Sequence, residues 1–559
     1  MEDSKIQPIK PSQNDIRWNT WSPWLRYLGW LNLFCVATGL VYMACPDEWP
    51  GKGWFDAMAF VLYLGVLFSN YLTAYVFRGR SRLAAELFCG AGILGMLAML
   101  YGGFSASNNY SISGKDIWQA RLIADIGYLM PLVVGRWFLC KIGNPTDGKR
   151  MPVIFRVLLA VPLILGIFNF LLAGVKIFSG GKFHLAELFI QAVALFPAFV
   201  FLAVGVWLAC LLNASAKRIW PRAALGAGLA GFVLYLLPVL LVPVTIWNAD
   251  KKFNDAFHPL DFSPAQTKVF RDSRFDGMSY LLGVKPEPVR MIKNVEYYRE
   301  ETGVNQGVRL CFDAFMPEGD PQALPGKGSV LIRIHGGAWM FGDKGPANVL
   351  QMDKYFAAQG YIVFDVQYGL RDNKFKAFAG ITPKQVTGDF SADDMVRQIG
   401  LFTKYLAAHT NEYGANLDSV FISGGSAGGH LTGAVGLAIA SKQFPGWFAD
   451  GIHVRGLIPF YPAFKLLKMD RIPTSPTIND PATMLDSNSP PCLIFQGAAD
   501  PLVNPAIPTA FCEAYHEKAV QPATMLLMPL AGHASDMYFS GNYNLIFLYY
   551  MERFMAMYR

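Results

Sequence analysis

The sequence predicts two folds in series: a bundle of about seven membrane-spanning helices, then a layered α/β domain with a mostly parallel sheet. Three observations predict this. Charged residues make up only 16% of the 559 residues, against the quarter usual for soluble proteins. The deficit is confined to residues 27–247, where long charge-free apolar runs recur. From residue 290 onward, short apolar runs alternate with helix-length amphipathic stretches, the pattern of a sheet covered on both faces.

A spanning helix needs about 20 mostly apolar residues. Six segments meet that test: Tyr27–Cys45, Ala57–Phe77, Leu87–Gly103, Val157–Val175, Leu188–Leu212 and Ala223–Trp247. A seventh, Leu122–Cys140, is interrupted by Asp125 and Arg136, both near its ends, where long side chains reach the interface. The loops support the count. Lys5, Lys10, Arg17 and Arg26 lie in the polar tail, and Arg78, Arg80 and Arg82 in the second connection. Lys141, Lys149 and Arg150 lie in the fourth connection, and Lys217, Arg218 and Arg222 in the sixth. The alternate loops hold only Lys52, then Lys115 and Arg121, then Lys176 and Lys182. Lys and Arg concentrate on the cytoplasmic side of short loops. The alternation therefore predicts seven spans, a cytoplasmic N-terminus and an extracytoplasmic C-terminal half. The first apolar run is read as a retained span, since it lacks a small-residue cleavage site. The net charge of +7 is explained by these loops and is no sign of a nucleic-acid partner.

The expected organisation is a cytoplasmic tail (1–24), a transmembrane domain (25–247), a connection (248–289) and the α/β domain (290–559). In the last, MIKNVEYYRE and VRLCFDAFMP read as paired strands, and SVLIRI, YIVFDVQY, DSVFIS, GLIPFYP, PCLIFQG and TMLLMPL as core strands. Residues 347–359, 389–414, 506–519 and 541–557 read as helices, as does LTGAVGLAIA. Eight cysteines show no metal-ligand spacing and predict no disulfide framework.

Gly424-Gly425-Ser426-Ala427-Gly428 matches G-x-S-x-G, with an apolar strand before it and a small-residue helix after it. In that context the serine sits on a tight strand-to-helix turn with its hydroxyl projecting above the sheet. Ser426 is thus the candidate nucleophile. Its oxyanion donors are expected from the Ala427 N–H and from Gly336 and Gly337 in His335-Gly336-Gly337-Ala338-Trp339, which ends an earlier strand. Asp500, after PCLIFQG, is the candidate acid, and His533, after TMLLMPL, the candidate base. His335, His430 and His516 are read as structural or exposed, and Asp536 as a weaker alternative acid. No cofactor and no metal are implied.

HGGAWMFGDKG, GGSAGGH, GAADPLVNP and the final GH together resemble the esterase and lipase families of the α/β-hydrolase superfamily. The nearest are the HGG-type carboxylesterases, including the hormone-sensitive-lipase-like and the acetyl and feruloyl esterases. The resemblance covers about residues 290–559 and leaves the membrane half unassigned. It implies hydrolysis of a carboxylic ester, of short acyl length such as acetyl, through an acyl-enzyme. It assigns Ser426, Asp500 and His533 to the triad and Gly336, Gly337 and Ala427 to the oxyanion hole. Ala338 departs from the three-glycine branch. An acyltransferase passing the acyl group to a glycan or lipid hydroxyl would use the same residues. A receptor carrying an inactive copy of the fold is the third reading. Substrate-lining loops are expected within 370–388 and 463–485.

Overall fold

The computed structural model describes residues 13–44, 52–108, 115–143, 153–178, 190–212, 219–258, 269–284, 288–372, 380–466 and 472–559. Six helical stretches among them are long and apolar enough to cross a membrane: Pro23–Ala44, Lys52–Val76, Arg82–Ser107, Trp118–Gly143, Leu195–Leu212 and Ile219–Phe257. The expected span Val157–Val175 falls on a further helix, Val153–Phe178. The expected start of the sixth span, Leu188, lies outside the described residues.

The chain divides into two compact units. One comprises Met1–Met99, Ile123–Leu171 and Phe196–Leu234. It is helical, and its helices approach through small residues. A Cβ at Gly205 would lie 2.7 Å from the Gly228 Cα, and one at Gly95 would lie 2.6 Å from the Gly127 carbonyl oxygen. Such contacts give helices in an apolar medium their van der Waals packing. Asn32 and Asn70, both fully buried, exchange side-chain hydrogen bonds of 2.8 and 3.1 Å between two helices.

The other unit comprises Leu100–Leu122, Leu172–Leu195 and Tyr235–Arg559. Its centre is an eight-stranded sheet of order β1-β2-β4-β3-β7-β8-β9-β10. These are β1 (Val289–Arg299), β2 (Arg309–Pro317), β3 (Ser329–Ile334), β4 (Ile362–Val366), β7 (Asn416–Gly425), β8 (Val454–Phe460), β9 (Cys492–Gly497) and β10 (Ala523–Met528). Only β2 runs against the rest, pairing antiparallel with both β1 and β4. Every pair from β4 across to β10 is parallel. The remaining strands, β5 (Leu370–Arg371) and β6 (Thr387–Gly388), form a small separate pair within an expected lining loop.

Residues alternate between two buried layers. Val330, Ile332 and Ile334 face helices Ala392–Ala408, Ala427–Ser441 and Ala506–Lys518. Leu331 and Val363 face helices Leu350–Ala358 and Asn542–Tyr558. Because both faces are covered, the strands read as continuous apolar runs. Helix Ala392–Ala408 begins at a reciprocal cap: the Asp394 N–H donates to Ser391 Oγ (3.1 Å) and the Ser391 N–H to the Asp394 carboxylate (3.0 Å).

Beyond the expected end of the last span at Trp247, the chain stays helical. Helix Ile219–Leu240 is followed after one residue by helix Val242–Phe257. Val242, Ala249, Phe253 and Phe257 of the latter are buried in the second layer. Phe253 packs on Tyr550 and Phe257 on Phe554, with centroids 5.2 and 5.1 Å apart. Burying each phenyl ring stabilises by about 1.5–3 kcal/mol, so this stretch is part of the α/β core. Arg274 and the Tyr550 hydroxyl both donate to Asp250, at 2.9 and 3.0 Å, closing the junction.

Candidate active site

β7 ends at Gly425 and helix Ala427–Ser441 begins at Ala427, so one residue makes the turn. That residue, Ser426, has φ 57° and ψ −115°, a strained conformation for a side chain with a Cβ. Its own N–H donates to the Phe460 carbonyl (2.9 Å) and its carbonyl accepts from the His430 N–H (3.0 Å). The flanking glycines are required by space. A Cβ at Gly424 would meet the Ile334 carbonyl oxygen at 2.4 Å, and one at Gly428 would meet it at 2.1 Å. The elbow is thus pressed against the end of β3, which carries the expected oxyanion turn.

The structure brings Ser426, His533 and Asp500 together. His533 Nε2 lies 3.0 Å from Ser426 Oγ, and His533 Nδ1 lies 2.8 Å from Asp500 Oδ2. The other Asp500 oxygen accepts from the Leu502 and Val503 N–H groups at 2.8 and 2.9 Å. Those bonds hold the carboxylate in one orientation, as a group that must keep one imidazole tautomer has to be held. Both His533 and Asp500 are buried. The alternative acid, Asp536, is placed elsewhere. It accepts a 2.7 Å bond from the Tyr461 hydroxyl, and burial raises its carboxyl above the ordinary range. The Tyr461 ring packs on His533, with centroids 4.5 Å apart.

Gly336 and Gly337 face the elbow. A Cβ at Gly336 would lie 2.8 Å from the Gly425 carbonyl oxygen and 3.5 Å from the Ser426 Cβ. Gly337 has φ 113°, and a Cβ there would overlap the Phe341 carbonyl. Ala338 and Trp339 follow at φ 51° and 60°, so the turn is left-handed through three residues. Here the sequence's departure from a third glycine is accommodated at the cost of backbone strain.

The histidines expected to be structural have structural partners. His335 donates from Nδ1 to the Gly336 carbonyl (2.8 Å) and stacks on Tyr368, with burial pushing it down to about 4. His516 contacts the Ala523 carbonyl. His430 has a specific task. Its Nε2 donates to the Ile478 carbonyl (2.7 Å), and its Nδ1 accepts from the Trp339 indole N–H (3.3 Å). It therefore ties the elbow helix to the oxyanion turn. Burial pushes its imidazole down to about 4, from 6.5. Because the native pKa is the lower one, stability is fully present above pH 6.5 and is lost as pH falls toward 4. At pH 5 this loss amounts to about 2 kcal/mol. Comparing thermal stability of the wild type and His430→Gln at pH 7 and pH 5 checks it. The difference between them should shift against the wild type at the lower pH.

A group of buried charges lies beneath the turn, and local sequence reading does not identify it. Arg333 on β3 contacts Asp353 (3.1 Å) and donates to the Asn348 carbonyl (2.5 Å). Asp365 on β4 accepts from the Gly345 N–H and from Asn348 Nδ2, and burial raises its carboxyl. Lys344 pairs with Asp313 on β2 at 2.9 Å. Together they bind the segment after the HGG turn to three strands. The signal was present as single charges inside otherwise apolar runs: SVLIRI, YIVFDV and CFDAF. Removing one partner of a buried pair leaves the other uncompensated. Arg333→Leu should cost about 3–5 kcal/mol, read as a lowered melting temperature in detergent.

The sheet order, the single reversed strand and the serine elbow define the α/β-hydrolase fold, and on it Ser426, His533 and Asp500 lie in contact beside a glycine-rich turn. The BD-FAE family model matches residues 313–485. That match spans the oxyanion turn and the elbow and ends before Asp500 and His533, whose assignment rests on geometry. The chain is 25% identical over 279 residues to a probable carboxylic ester hydrolase, LipM, of Mycobacterium tuberculosis, covering 45% of this chain and 60% of that protein. It is also 25% identical over 239 residues to the esterase LipQ of the same organism, covering 39% and 53%. The chain thus spans between half and two thirds of the length of these curated relatives. Among solved structures, the apo form of Thermogutta terrifontis esterase 2 is similar at 22% identity with a TM-score of 0.36, covering 48% of this chain and 91% of that one.

Proposed function

We propose that this protein is a membrane-anchored serine esterase that cleaves a short-chain carboxylic ester through an acyl-enzyme. The observation that carries the reading is the continuous chain from Ser426 Oγ through His533 to Asp500, with contacts of 3.0 and 2.8 Å. In this reading His533 takes the Ser426 proton as the hydroxyl attacks the ester carbonyl. The N–H groups of Gly336, Gly337 and Ala427 hold the resulting oxyanion. His533 then returns the proton to the leaving alcohol, and water repeats the sequence to release the acid. The ester-hydrolase names of the curated relatives support the reaction class. The helices long and apolar enough to cross a membrane support anchoring in a bilayer, and the alternation of Lys and Arg between loops supports an extracytoplasmic hydrolase domain.

The test is turnover of p-nitrophenyl acetate and butyrate by full-length protein in detergent, with a fluorophosphonate probe mapped by peptide analysis. Turnover with probe attached at Ser426 supports the reading, and a preference for acetate supports the short acyl group. Silence toward both esters together with no labelling of Ser426 overturns it. Adding an alcohol acceptor separates the two fates of the acyl-enzyme: acyl transfer in preference to hydrolysis would make the protein an acyltransferase.

A further inference from the structure

The loop that carries His533 is pinned by chain from outside residues 290–559. All of these contacts lie within the second compact unit. Gly532, the residue before His533, is enclosed on two sides. Its carbonyl oxygen packs on Gly497 at the end of β9, where a Cβ would lie 2.6 Å away. On the other side lies the carboxamide of Gln191, from the segment leading into the helix Leu195–Leu212. A Cβ at Gly532 would meet Gln191 Nε2 at 2.5 Å, Oε1 at 2.6 Å and Cδ at 2.7 Å. The three amide atoms are nearly equidistant from that point, so the carboxamide as a whole occupies the space a Gly532 side chain would need. Gln191 is buried, and its Oε1 has no hydrogen-bond partner among the described residues. Its contact with Gly532 is therefore one of packing.

The far end of the same loop is held by neighbours of Gln191. The Tyr280 hydroxyl donates to the Ala192 carbonyl (3.3 Å) and accepts from the Leu195 N–H (3.2 Å). The Tyr538 hydroxyl donates to the Tyr280 carbonyl (2.7 Å), and the Val284 N–H donates to Ser540 Oγ (2.9 Å). Gly541 lies against the Ala192 carbonyl, with room for no Cβ. Residues 190–195 thus touch the loop just before the histidine and again eight residues after it.

We propose that Gln191, from the segment leading into helix Leu195–Leu212, is a positioning residue for His533. The inference rests on the esterase reading above. A general base must be held to within a fraction of an ångström of the proton it takes, and displacement by about 1 Å can cost up to about a hundredfold in rate. Gln191 bears on the backbone one residue from that base.

The test uses full-length protein in detergent and four variants: Gln191→Ala, Gln191→Met, Gly532→Ala and the double variant Gln191→Ala/Gly532→Ala. Gln191→Ala and Gly532→Ala should each lower kcat for p-nitrophenyl acetate by about tenfold or more, with KM within about twofold. The pH dependence of kcat/KM should shift as well. Gln191→Met, of similar volume, should retain most of the activity. In the double variant the space left by Gln191 admits the new methyl, so its kcat should exceed the product of the two single losses. Melting temperatures separate a displaced histidine from an unfolded chain, and if Gln191→Ala fails to fold, Gln191→Met and Gly532→Ala decide the matter. Wild-type kcat and pH profile in Gln191→Ala or in Gly532→Ala, or losses that simply multiply, overturn the proposal while leaving the esterase reading intact. A wild type that neither turns over nor labels at Ser426 removes both.

Discussion

Replacing Ser426 with alanine is expected to lower kcat for p-nitrophenyl acetate by about 10⁴- to 10⁶-fold, with thermal stability changed little. The substitution removes the hydroxyl positioned 3.0 Å from His533 Nε2 and adds no atom. The elbow does not depend on the hydroxyl. It is held by the Ser426 N–H bond to Phe460, the His430 N–H bond to the Ser426 carbonyl and the close approach of Gly428 to β3, all of which alanine keeps. What remains is the catalysis available from oxyanion donors acting on a bound ester, a small residue of the whole. Steady-state turnover and fluorophosphonate labelling check it together. Activity within tenfold of the wild type would mean that another group attacks the ester.

Gly428→Ala should also lower activity strongly, for a steric reason. The new methyl would lie 2.1 Å from the Ile334 carbonyl oxygen, 2.6 Å from the His335 carbonyl oxygen and 2.8 Å from the Ile334 carbonyl carbon. These are backbone atoms of a central strand and cannot rotate away. Either the elbow helix or the end of β3 must move by about 1 Å, and both carry groups of the site. The expected loss in kcat/KM is about a hundredfold or more, with about 1–3 kcal/mol of stability. Gly319→Ala, where a Cβ has open space, is the control and should change stability by less than about 0.5 kcal/mol. Equal behaviour of the two variants in thermal unfolding and turnover would show that the elbow is not packed against β3.

Much of this site could be read from local sequence because its parts are local. The serine elbow needs two glycines two residues either side of the nucleophile, and those constraints act within five residues. The strands were legible because both faces of a parallel sheet are dry, so each core strand is an apolar run bounded by Gly, Pro or Asn. The candidate acid and base, Asp500 and His533, each follow a strand end, which their positions along the chain already indicate. The buried charges of Asp313, Arg333 and Asp365 leave no periodic mark, because a single charge in an apolar run has no period. Its meaning appears only when three strands, a loop with Lys344 and a helix with Asp353 set the partners side by side. Asp536 stood three residues from His533 in sequence, yet Tyr461, 75 residues away, takes it.

The sequence by itself determined the order of parts: an apolar helical half, then strand and helix in alternation, with the candidate nucleophile, acid and base in that order after strand ends. Local sterics, apolar periodicity and turn chemistry act over a few residues, and each leaves a mark in the chain. Only the tertiary structure decided which strands are neighbours, with β4 between β2 and β3. It also decided that the last apolar helix continues into the α/β core, and that Gln191 lies on the backbone beside His533. These depend on contacts between residues up to several hundred positions apart. Such contacts follow from how whole surfaces fill space, and no short segment carries their record.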